Sequence, residues 1–195
     1  MTDNEIIRLI LEGNRQKFRL LVEKHQSMVF RTCMGFLHDK DDADDLTQDI
    51  FIQAYQSLNG FREESSFSTW IYRIAVNASL NRVRKKAGNP ILHRIDSIFQ
   101  PVQGKDLLSP FLDTVNPESI LISQENNKWV QNALDSLPEN QKIAIVLSKY
   151  DDLPQKEIAE IMKTTEGAVE ALIQRAKANL RIKLSSSYKK NRKRP

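Results

Sequence analysis

The chain has few of the residues on which disulfides, metal sites and phosphate-binding loops depend. It contains one cysteine, Cys33, three histidines and six glycines among 195 residues. A single cysteine forms neither an internal disulfide nor a cysteine-based metal site, and no two histidines have the spacing of metal ligands. The glycines make neither a GxGxxG loop nor a P-loop. We therefore predict no catalytic centre, no metal site and no cofactor.

Long hydrophobic runs are also missing. No apolar segment reaches the roughly 18 residues that span a bilayer, and residues 1–5 lack the basic-then-apolar order of a secretory signal. Apolar residues make up 40% of the chain and charged residues 28%, which is enough for two compact cores of modest size. These features predict a cytoplasmic protein that does not insert into a membrane.

Proline is absent before Pro90 and then occurs four times up to Pro117. Because proline cannot continue a helix, this stretch predicts a linker. Apolar residues recur at helical spacing on both sides of it, and no alternating strand pattern is found. The sequence therefore predicts an all-α protein with two small helical domains. The predicted segments are a first domain over 1–87, a flexible linker over 88–122, a second domain over 123–186 and a basic tail over 187–195.

The excess of positive charge belongs to the C-terminal end. The chain has 29 Lys and Arg against 25 Asp and Glu, and its last eight residues hold five of the basic residues and none of the acidic ones. The remainder therefore carries 24 basic and 25 acidic residues, a net charge of −1. A basic run of this kind is a solvated end or a weak polyanion-binding segment. Net charge alone does not predict nucleic-acid binding.

An acidic segment, residues 39–51, carries six aspartates. Aspartate near a helix N-terminus caps free N–H groups and complements the helix dipole, which accounts for only some of the six. A calcium loop is excluded, because Asp44 stands where an EF-hand needs glycine and Ile50 where it needs glutamate. Asp45, Gln48 and Asp49 share one helix face, which suits either solvent or a basic protein partner.

Residues 60–86 place aromatic and small polar side chains ahead of a basic helix end. An unstacked DNA strand needs such a set, because rings stack on bases and Arg or Lys hold phosphates. The alternative is that Phe67 and Trp70, at helical spacing, belong to the core. We expect that alternative to hold for most of their surface, which leaves four polar side chains freer to contact DNA: Ser65, Ser66, Asn77 and Arg84.

Residues 153–169 have the pattern of a helix-turn-helix. Pro154 suits a first helical position, and Thr165 is a candidate N-cap for the second helix. If Val169, Ile173, Ala176 and Leu180 are buried, the opposite face would enter the major groove; it carries Gly167, Glu170, Ala171, Gln174 and Arg175. An ordinary helical hairpin is the alternative.

These three motifs, in this order, resemble the extracytoplasmic-function (ECF) group of bacterial RNA polymerase sigma factors. The resemblance covers about residues 15–87 and 125–184. It implies a transcription initiation factor with no enzymatic activity, which binds core RNA polymerase, recognises the −35 and −10 promoter elements and promotes promoter melting. It also implies an anti-sigma factor as a partner.

The resemblance assigns the candidate residues to three surfaces. Residues 44–51 resemble the core-binding segment, residues 67–77 the promoter-melting segment, and residues 77–86 the −10 reader. The candidates for core polymerase are Asp44, Asp45, Leu46, Gln48, Asp49 and Phe51. Those for −10 DNA are Phe61, Ser65, Ser66, Trp70, Asn77, Asn81, Arg84 and Lys85. Those for −35 DNA are Lys156, Thr165, Glu166, Gly167, Glu170, Ala171, Gln174, Arg175 and Lys177.

The chain departs from the family pattern at a few positions. Asn81 stands where the family commonly has aspartate, and Glu170 and Leu172 occupy positions often filled by lysine and arginine. We therefore expect phosphate contacts on the −35 side to come from other cations. A stand-alone helix-turn-helix regulator is the alternative function, but it leaves residues 41–86 without a task. A helical adaptor that touches no nucleic acid leaves both DNA-binding patterns unexplained.

Overall fold

The structure is a computed structural model that describes residues 1–86, 88 and 124–191, with side chains over 128–185 in the second part. All regular structure in these ranges is helical, which confirms the all-α prediction. The predicted linker, apart from Gly88, and residues 192–195 lie outside the described residues. The helices are α1 (Asp3–Leu11), α2 (Phe18–Leu37), α3 (Lys40–Ser57), α4 (Phe67–Lys86), α5 (Gln124–Asp135), α6 (Glu139–Lys149), α7 (Gln155–Met162) and α8 (Glu166–Asn191).

The first half of the molecule, residues 1–86, is built around α2, α3 and α4, which pack against one another. The helix α3 begins at Lys40, because Asp39 is its N-cap and accepts a hydrogen bond from the Asp42 amide at 2.9 Å. Buried Leu46, Ile50 and Ala54 face the core from α3. The acidic segment therefore provides the N-cap of α3 and lies within this helix.

The second half, residues 124–191, contains the predicted helix-turn-helix as α7 and α8. The Thr165 hydroxyl accepts a hydrogen bond from the Ala168 amide at 3.2 Å, which confirms it as an N-cap. The prediction for Pro154 was off by one position, because its extended backbone makes it the residue before α7. Val169, Ile173 and Ala176 are buried as predicted, and Leu180 is half-buried.

The molecule has two hydrophobic cores, but the border between them does not follow the border between its halves. One core lies wholly in the first half. The other joins α4 and the end of α2 to the second half, because α4 packs on α7 and α2 packs on α6. Its members include Phe36, Tyr72, Val76 and Leu80 from the first half and Ile143, Val146, Leu147, Ile158 and Ile161 from the second. None of the described helices is both long and apolar enough to cross a membrane.

Candidate functional site

The outward face of α3 is anionic and exposed. Asp44, Asp45, Gln48 and Asp49 are all exposed, as expected for side chains that bind a partner. Leu46 and Phe51, also predicted to contact polymerase, are buried in the first-half core. They face the opposite side of the helix and hold α3 in place instead of presenting a surface.

Two apolar side chains continue this face and were not predicted. Ile52 is 56% exposed and Tyr55 is 37% exposed, and the Tyr55 ring packs against Phe18 with centroids 4.9 Å apart. They follow Asp45 and Asp49 at helical spacing, which is the signal that could have found them. Exposed apolar groups beside charged ones are typical of protein-binding surfaces. We define the α3 face as Asp44, Asp45, Gln48, Asp49, Ile52 and Tyr55.

The remaining aspartates of the acidic segment include one with a structural role inside the first half. Asp42 pairs with Arg82 of α4, with Nη2 to Oδ1 at 2.8 Å, and with Lys86. The hydrogen bond from Lys86, followed by that from Arg82, lowers the pKa of the Asp42 carboxyl. Together with the Asp39 cap, this pairing accounts for two of the six aspartates. It also neutralises part of the basic end of α4.

The loop before α4 presents a partly exposed aromatic pair. Phe61 and Trp70 are half-buried, with ring centroids 5.4 Å apart. Phe67 is only 1% exposed and packs beneath them, as the core alternative predicted. Ser66 is exposed, but its hydroxyl caps α4 by accepting from the Thr69 amide at 3.1 Å. Ser65 beside it is half-buried.

Two candidate −10 residues on α4 are not available to bind DNA in this structure, because one is buried and the other is bound to neighbouring side chains. Asn77 is 2% exposed, and neither its amide oxygen nor its amide nitrogen has a hydrogen-bond partner within the described residues. Arg84 donates from Nε to the Glu139 carboxylate of the second half at 2.8 Å and from Nη1 to Asn81 at 3.3 Å. The expectation that both would be accessible was therefore wrong for this arrangement of the chain. Lys85 is exposed.

The predicted reading face of α8 is open to solvent. Glu166, Gly167, Glu170, Ala171, Gln174 and Arg175 are exposed, as is Lys156 at the start of α7. Lys177 is half-buried. A protruding second helix of a helix-turn-helix, with carboxylate, amide and guanidinium groups outward, has the chemistry needed to read base edges and bind phosphates.

Cys33 belongs to the core and not to a reactive or metal-binding site. It is fully buried, and burial raises the pKa of its thiol. Over residues 1–86 and 124–191, as far as the structure describes them, no three His, Cys, Asp or Glu side chains cluster closely enough to hold a metal ion.

The sequence matches two protein families, one in each half. Residues 21–88 match Sigma-70 region 2, and residues 127–180 match Sigma-70 region 4. The chain is 32% identical over 184 residues to the ECF RNA polymerase sigma-E factor of Haemophilus influenzae, covering 94% of this chain and 96% of that protein. It is 33% identical over 177 residues to the protein of the same name in Escherichia coli, covering 91% of each.

Two solved structures share its fold over most of its length. CnrH, solved in complex with the cytosolic domain of CnrY, has a TM-score of 0.63 at 24% identity, over 94% of this chain and 97% of that one. The sigma factor RpoE of Bartonella quintana, solved with the anti-sigma factor NepR, has a TM-score of 0.56 at 19% identity, over 87% of this chain and 98% of that one.

Proposed function

Because the chain belongs to the ECF sigma factors of bacterial RNA polymerase, we propose that its three exposed surfaces divide the work of promoter recognition. The α3 face binds core polymerase, residues 60–86 capture and melt the −10 element, and α8 reads the −35 element. The observation that carries this proposal is that one chain has both an exposed anionic face with apolar side chains on α3 and a helix-turn-helix whose second helix is open to solvent.

Core binding is assigned to the α3 face because of its mixed chemistry. Its carboxylates attract a basic surface, and charge complementarity steers association and fixes register. Ile52 and Tyr55 supply apolar area that a partner would bury. Leu46 and Phe51 are buried on the opposite side of α3 and pack into the first-half core. This packing fixes the orientation of the α3 face before a partner binds.

Strand capture is assigned to the loop and helix around α4. The half-exposed rings of Phe61 and Trp70 offer a stacking surface that accepts any base. The unpartnered amide of Asn77 supports a role in base recognition, because a buried amide without partners carries a desolvation cost that a base edge could relieve. Lys85 supplies a cation for the backbone.

Reading of the −35 element is assigned to the exposed side chains of α8. Glutamate accepts a hydrogen bond from the cytosine amino group, and glutamine pairs with adenine, so Glu170 and Gln174 are the base-reading residues. Lys156, Arg175 and Lys177 supply the phosphate contacts. The chain itself carries out no catalysis in this scheme, acts in the cytoplasm and is held inactive by an anti-sigma factor.

A stand-alone helix-turn-helix regulator is not favoured. It would use α7 and α8 alone, whereas the match to Sigma-70 region 2 covers residues 21–88. The exposed α3 face would also have no partner in such a protein.

Run-off transcription with purified core polymerase tests the proposal. Promoter-specific transcripts from a duplex promoter library should require both the chain and core polymerase. Reversing charge in Asp45→Lys with Asp49→Lys should reduce both transcription and capture of core polymerase, because attraction across the interface becomes repulsion. The fold should persist, since exposed substitutions usually cost within about 0.5 kcal/mol.

A matched control separates the α3 face from a general change of charge. Glu12→Lys with Glu23→Lys makes the same change of charge at two exposed sites, one directly after α1 and one on α2, and should leave capture of core polymerase unchanged. Capture by the Asp45 and Asp49 variant at the wild-type level would contradict the assignment of the face. Binding of the chain to duplex promoters without core polymerase, with no transcripts on adding it, would favour the regulator instead.

A further inference from the structure

The helix α1 lies outside the part of the chain that matches Sigma-70 region 2, which begins at residue 21. It is nevertheless an integral part of the first half, because Ile6, Ile7 and Ile10 are buried in the first-half core. Its start is fixed by a capping box between Thr2 and Glu5. The buried isoleucines and the complete cap together hold α1 in one place on the first half.

A carboxylate in the first turn of α1 ties this helix to α2. One oxygen of Asp3 accepts from Lys24 Nζ at 2.7 Å, and the other lies 3.0 Å from His25 Nε2. His25 is 6% exposed, and burial lowers the pKa of its ring against the opposing effect of Asp3. A neutral ring that donates its Nε2 proton to Asp3 fits both observations. Asp3 therefore fixes the position of α1 along α2.

The same histidine joins α1 to the aromatic cluster beneath the 61–66 loop, which we define as the residues between Gly60 and α4. The His25 ring packs against Phe67 with centroids 5.2 Å apart. Phe67 in turn packs against Phe61 at 6.0 Å and against Trp70 at 5.6 Å. Edge and tilted contacts of this kind between rings are favourable. The helix α1 and the 61–66 loop therefore rest on one buried aromatic layer.

Glu63, within the 61–66 loop, has a backbone conformation that glutamate rarely adopts. Its φ is +57°, in the left-handed region where the Cβ atom is crowded. Two other described residues with positive φ, His38 and Lys163, are C-caps, where this conformation ends a helix. Glu63 caps no helix, because the preceding 3₁₀ turn already ends at Gly60. Backbone strain of this kind persists only where surrounding contacts offset it.

A side chain of α1 supplies such a contact. Asn4 donates from Nδ2 to Glu63 Oε2 at 3.1 Å, and a carboxylate acceptor makes this hydrogen bond stronger than one between neutral groups. An open groove lies between α1 and the loop, lined by Asn4, Ile7 and Leu11 of α1 and by Phe61 and Glu63 of the loop. The hydrogen bond bridges this groove and sets the distance between the helix and the loop.

The backbone at Glu63 determines where the Phe61 ring lies relative to Trp70. Glu63 stands between them in a segment without regular secondary structure. A rotation about its φ would therefore move the chain that carries Phe61 relative to the helix that carries Trp70. The two rings form one stacking surface only while they keep their relative position, with centroids 5.4 Å apart. The conformation of Glu63 thus maintains the surface that is assigned to −10 bases.

We propose that α1 takes part in −10 recognition without contacting DNA, and that Asn4 and Glu63 are positioning residues. Their hydrogen bond holds the 61–66 loop in the conformation that presents Phe61 beside Trp70. Asp3 anchors the helix that supplies this hydrogen bond. The role in −10 recognition rests on the proposed function, whereas the contact between α1 and the loop is a property of the first half alone.

Backbone order parameters from nuclear magnetic resonance of the complete chain, without polymerase, test the contact itself. In the wild type, residues 61–66 should be nearly as rigid as the helices, with values near about 0.85. Asn4→Ala should lower them below about 0.6, the range of flexible backbone. Glu63→Gln keeps an oxygen that accepts from Asn4 and should leave the wild-type values unchanged. A wild-type loop that is already flexible, or an Asn4→Ala loop as rigid as the wild type, would overturn the proposal.

Promoter opening by the chain with core polymerase tests the consequence for −10 recognition. Permanganate oxidises unpaired thymines and so measures the open fraction of a duplex promoter. Asn4→Ala and Glu63→Ala should each lower the ratio of open to closed promoter by roughly two- to tenfold, the usual effect of losing one hydrogen bond. Capture of core polymerase and selection at the −35 element should stay unchanged. Because both substitutions remove the same contact, the double variant should be no more impaired than the weaker single variant.

The direction of the Glu63→Ala effect separates loop position from simple electrostatics. Removing a carboxylate beside a DNA-binding surface should by itself strengthen DNA binding, because one charge that repels phosphates is lost. Loss of loop position should instead weaken opening. Glu64→Ala removes the same charge at the exposed neighbouring residue, which is not among the candidates for −10 DNA, and should leave opening at or above the wild-type level.

The outcomes distinguish the contact from the function on which its role rests. Opening that falls equally in Glu64→Ala and Glu63→Ala, or that falls in Glu63→Gln, would overturn the positioning role. A flexible loop in Asn4→Ala with unchanged opening would overturn it as well. If the wild-type chain with core polymerase opens no promoter while its loop responds to Asn4→Ala as expected, the proposed function is contradicted and the contact between α1 and the loop stands.

Discussion

Asp151 occupies a hydrogen-bonding arrangement that an ionised carboxylate cannot fully satisfy. The Thr32 hydroxyl lies 2.8 Å from Asp151 Oδ2 and 3.1 Å from the Met28 carbonyl, but it has one proton to donate. A protonated Asp151 could donate to Thr32, which would then donate to Met28. Burial raises the pKa of the Asp151 carboxyl, against the opposing effects of Thr32 and Arg31. The hydrogen-bond geometry and the raised pKa both favour the protonated form of Asp151.

The prediction at the residue scale is that Asp151→Asn strengthens the packing of the second half on the first, so that the closed arrangement of the two halves is more populated. Its amide nitrogen can donate to Thr32 at any pH and carries no charge to desolvate. Because packing of the two halves raises the pKa of Asp151, this closed arrangement takes up a proton when it forms. Closure of the wild-type chain therefore strengthens as pH falls from above that raised pKa toward the ordinary value of about 3.9. The excess closure of Asp151→Asn over the wild type should therefore be largest near neutrality and shrink toward pH 4.

Energy transfer between dyes attached through Glu12→Cys and Lys128→Cys, both at exposed positions, is measured from pH 4.5 to 8 and checks this prediction. His38, whose pKa is lowered by burial and which faces Asp135 and Lys142, titrates in both chains and cancels in their difference. Arg31, Tyr72 and Asp152 also interact electrostatically with Asp151. All three residues are present in both the wild type and Asp151→Asn. Asp41→Asn, at an exposed position in the first turn of α3, is the control and should behave like the wild type. An Asp151→Asn chain that is more open than the wild type at pH 7 would contradict this hydrogen-bonding arrangement.

Residue accessibility was the part of the site that the sequence predicted least well. Helical spacing correctly placed Phe67 in the core, and it correctly left Glu170 and Gln174 exposed. It did not anticipate that Asn77 is buried, because a repeat shows which residues share a face but not what covers that face. A signal was available: α4 carries apolar residues on two sides, which is typical of a helix buried between two layers.

At the scale of elements, the helices carrying the three motifs were predictable and two others were not. Strong periodicity marked α2, α3, α4 and the helix-turn-helix, and a stripe of Ile143, Val146, Leu147 and Tyr150 marked α6. Periodicity did not reveal α1, although the Thr2 hydroxyl and the Glu5 carboxylate form a capping box at its start. It also did not reveal α5, which begins at Gln124. Short helices have few repeats, so their caps are more informative than their periodicity.

The helix α8 supports a prediction about sequence preference at the −35 element. Glu170→Gln and Gln174→Ala should each change the preferred base at particular −35 positions, because each removes or replaces a base-edge hydrogen bond worth roughly 1–3 kcal/mol. Both side chains are exposed, so the fold should be unaffected. Selection from a library randomised over the −35 element, carried out with core polymerase, measures the change.

The control for this experiment lies on the same half of the molecule. Lys128→Gln removes an exposed charge on α5, at a residue that is not assigned to base reading, and should select the wild-type sequence. An unchanged selected sequence for both the Glu170 and Gln174 variants would mean that the reading face lies elsewhere on the second half.

At the scale of the whole molecule, family and fold class followed from three motifs in order, but the packing of the halves did not. The packing of the two halves depends on single contacts between segments far apart in sequence, such as Thr32 with Asp151 and Arg84 with Glu139. No local pattern encodes such pairs. The glycine at position 35, within an otherwise continuous helix, was the available hint of a close approach.

Charge distribution gives the final prediction, which concerns residues 188–195. These residues hold five of the 29 basic residues, and without them the net charge falls from +4 to −1. Lysine and arginine in a run without acidic companions bind phosphates irrespective of base sequence. Deleting 188–195 should therefore weaken binding of all promoter sequences alike and leave the selected −35 sequence unchanged. The dependence of log affinity on log salt should flatten by about one unit for each phosphate that the shortened chain no longer neutralises.

Binding of the polymerase-bound chain to one strong and one weak promoter, each at two salt concentrations, measures both effects. Replacing the five basic residues by glutamine keeps the length of the segment and should reproduce the deletion, because the expected effect depends on charge alone. The two variants should also differ from Glu170→Gln, which changes preference between promoters and leaves the salt slope nearly as it was. A deletion that alters the selected −35 sequence would show that the tail takes part in base reading, and that the division of labour between α8 and the C-terminal end is wrong.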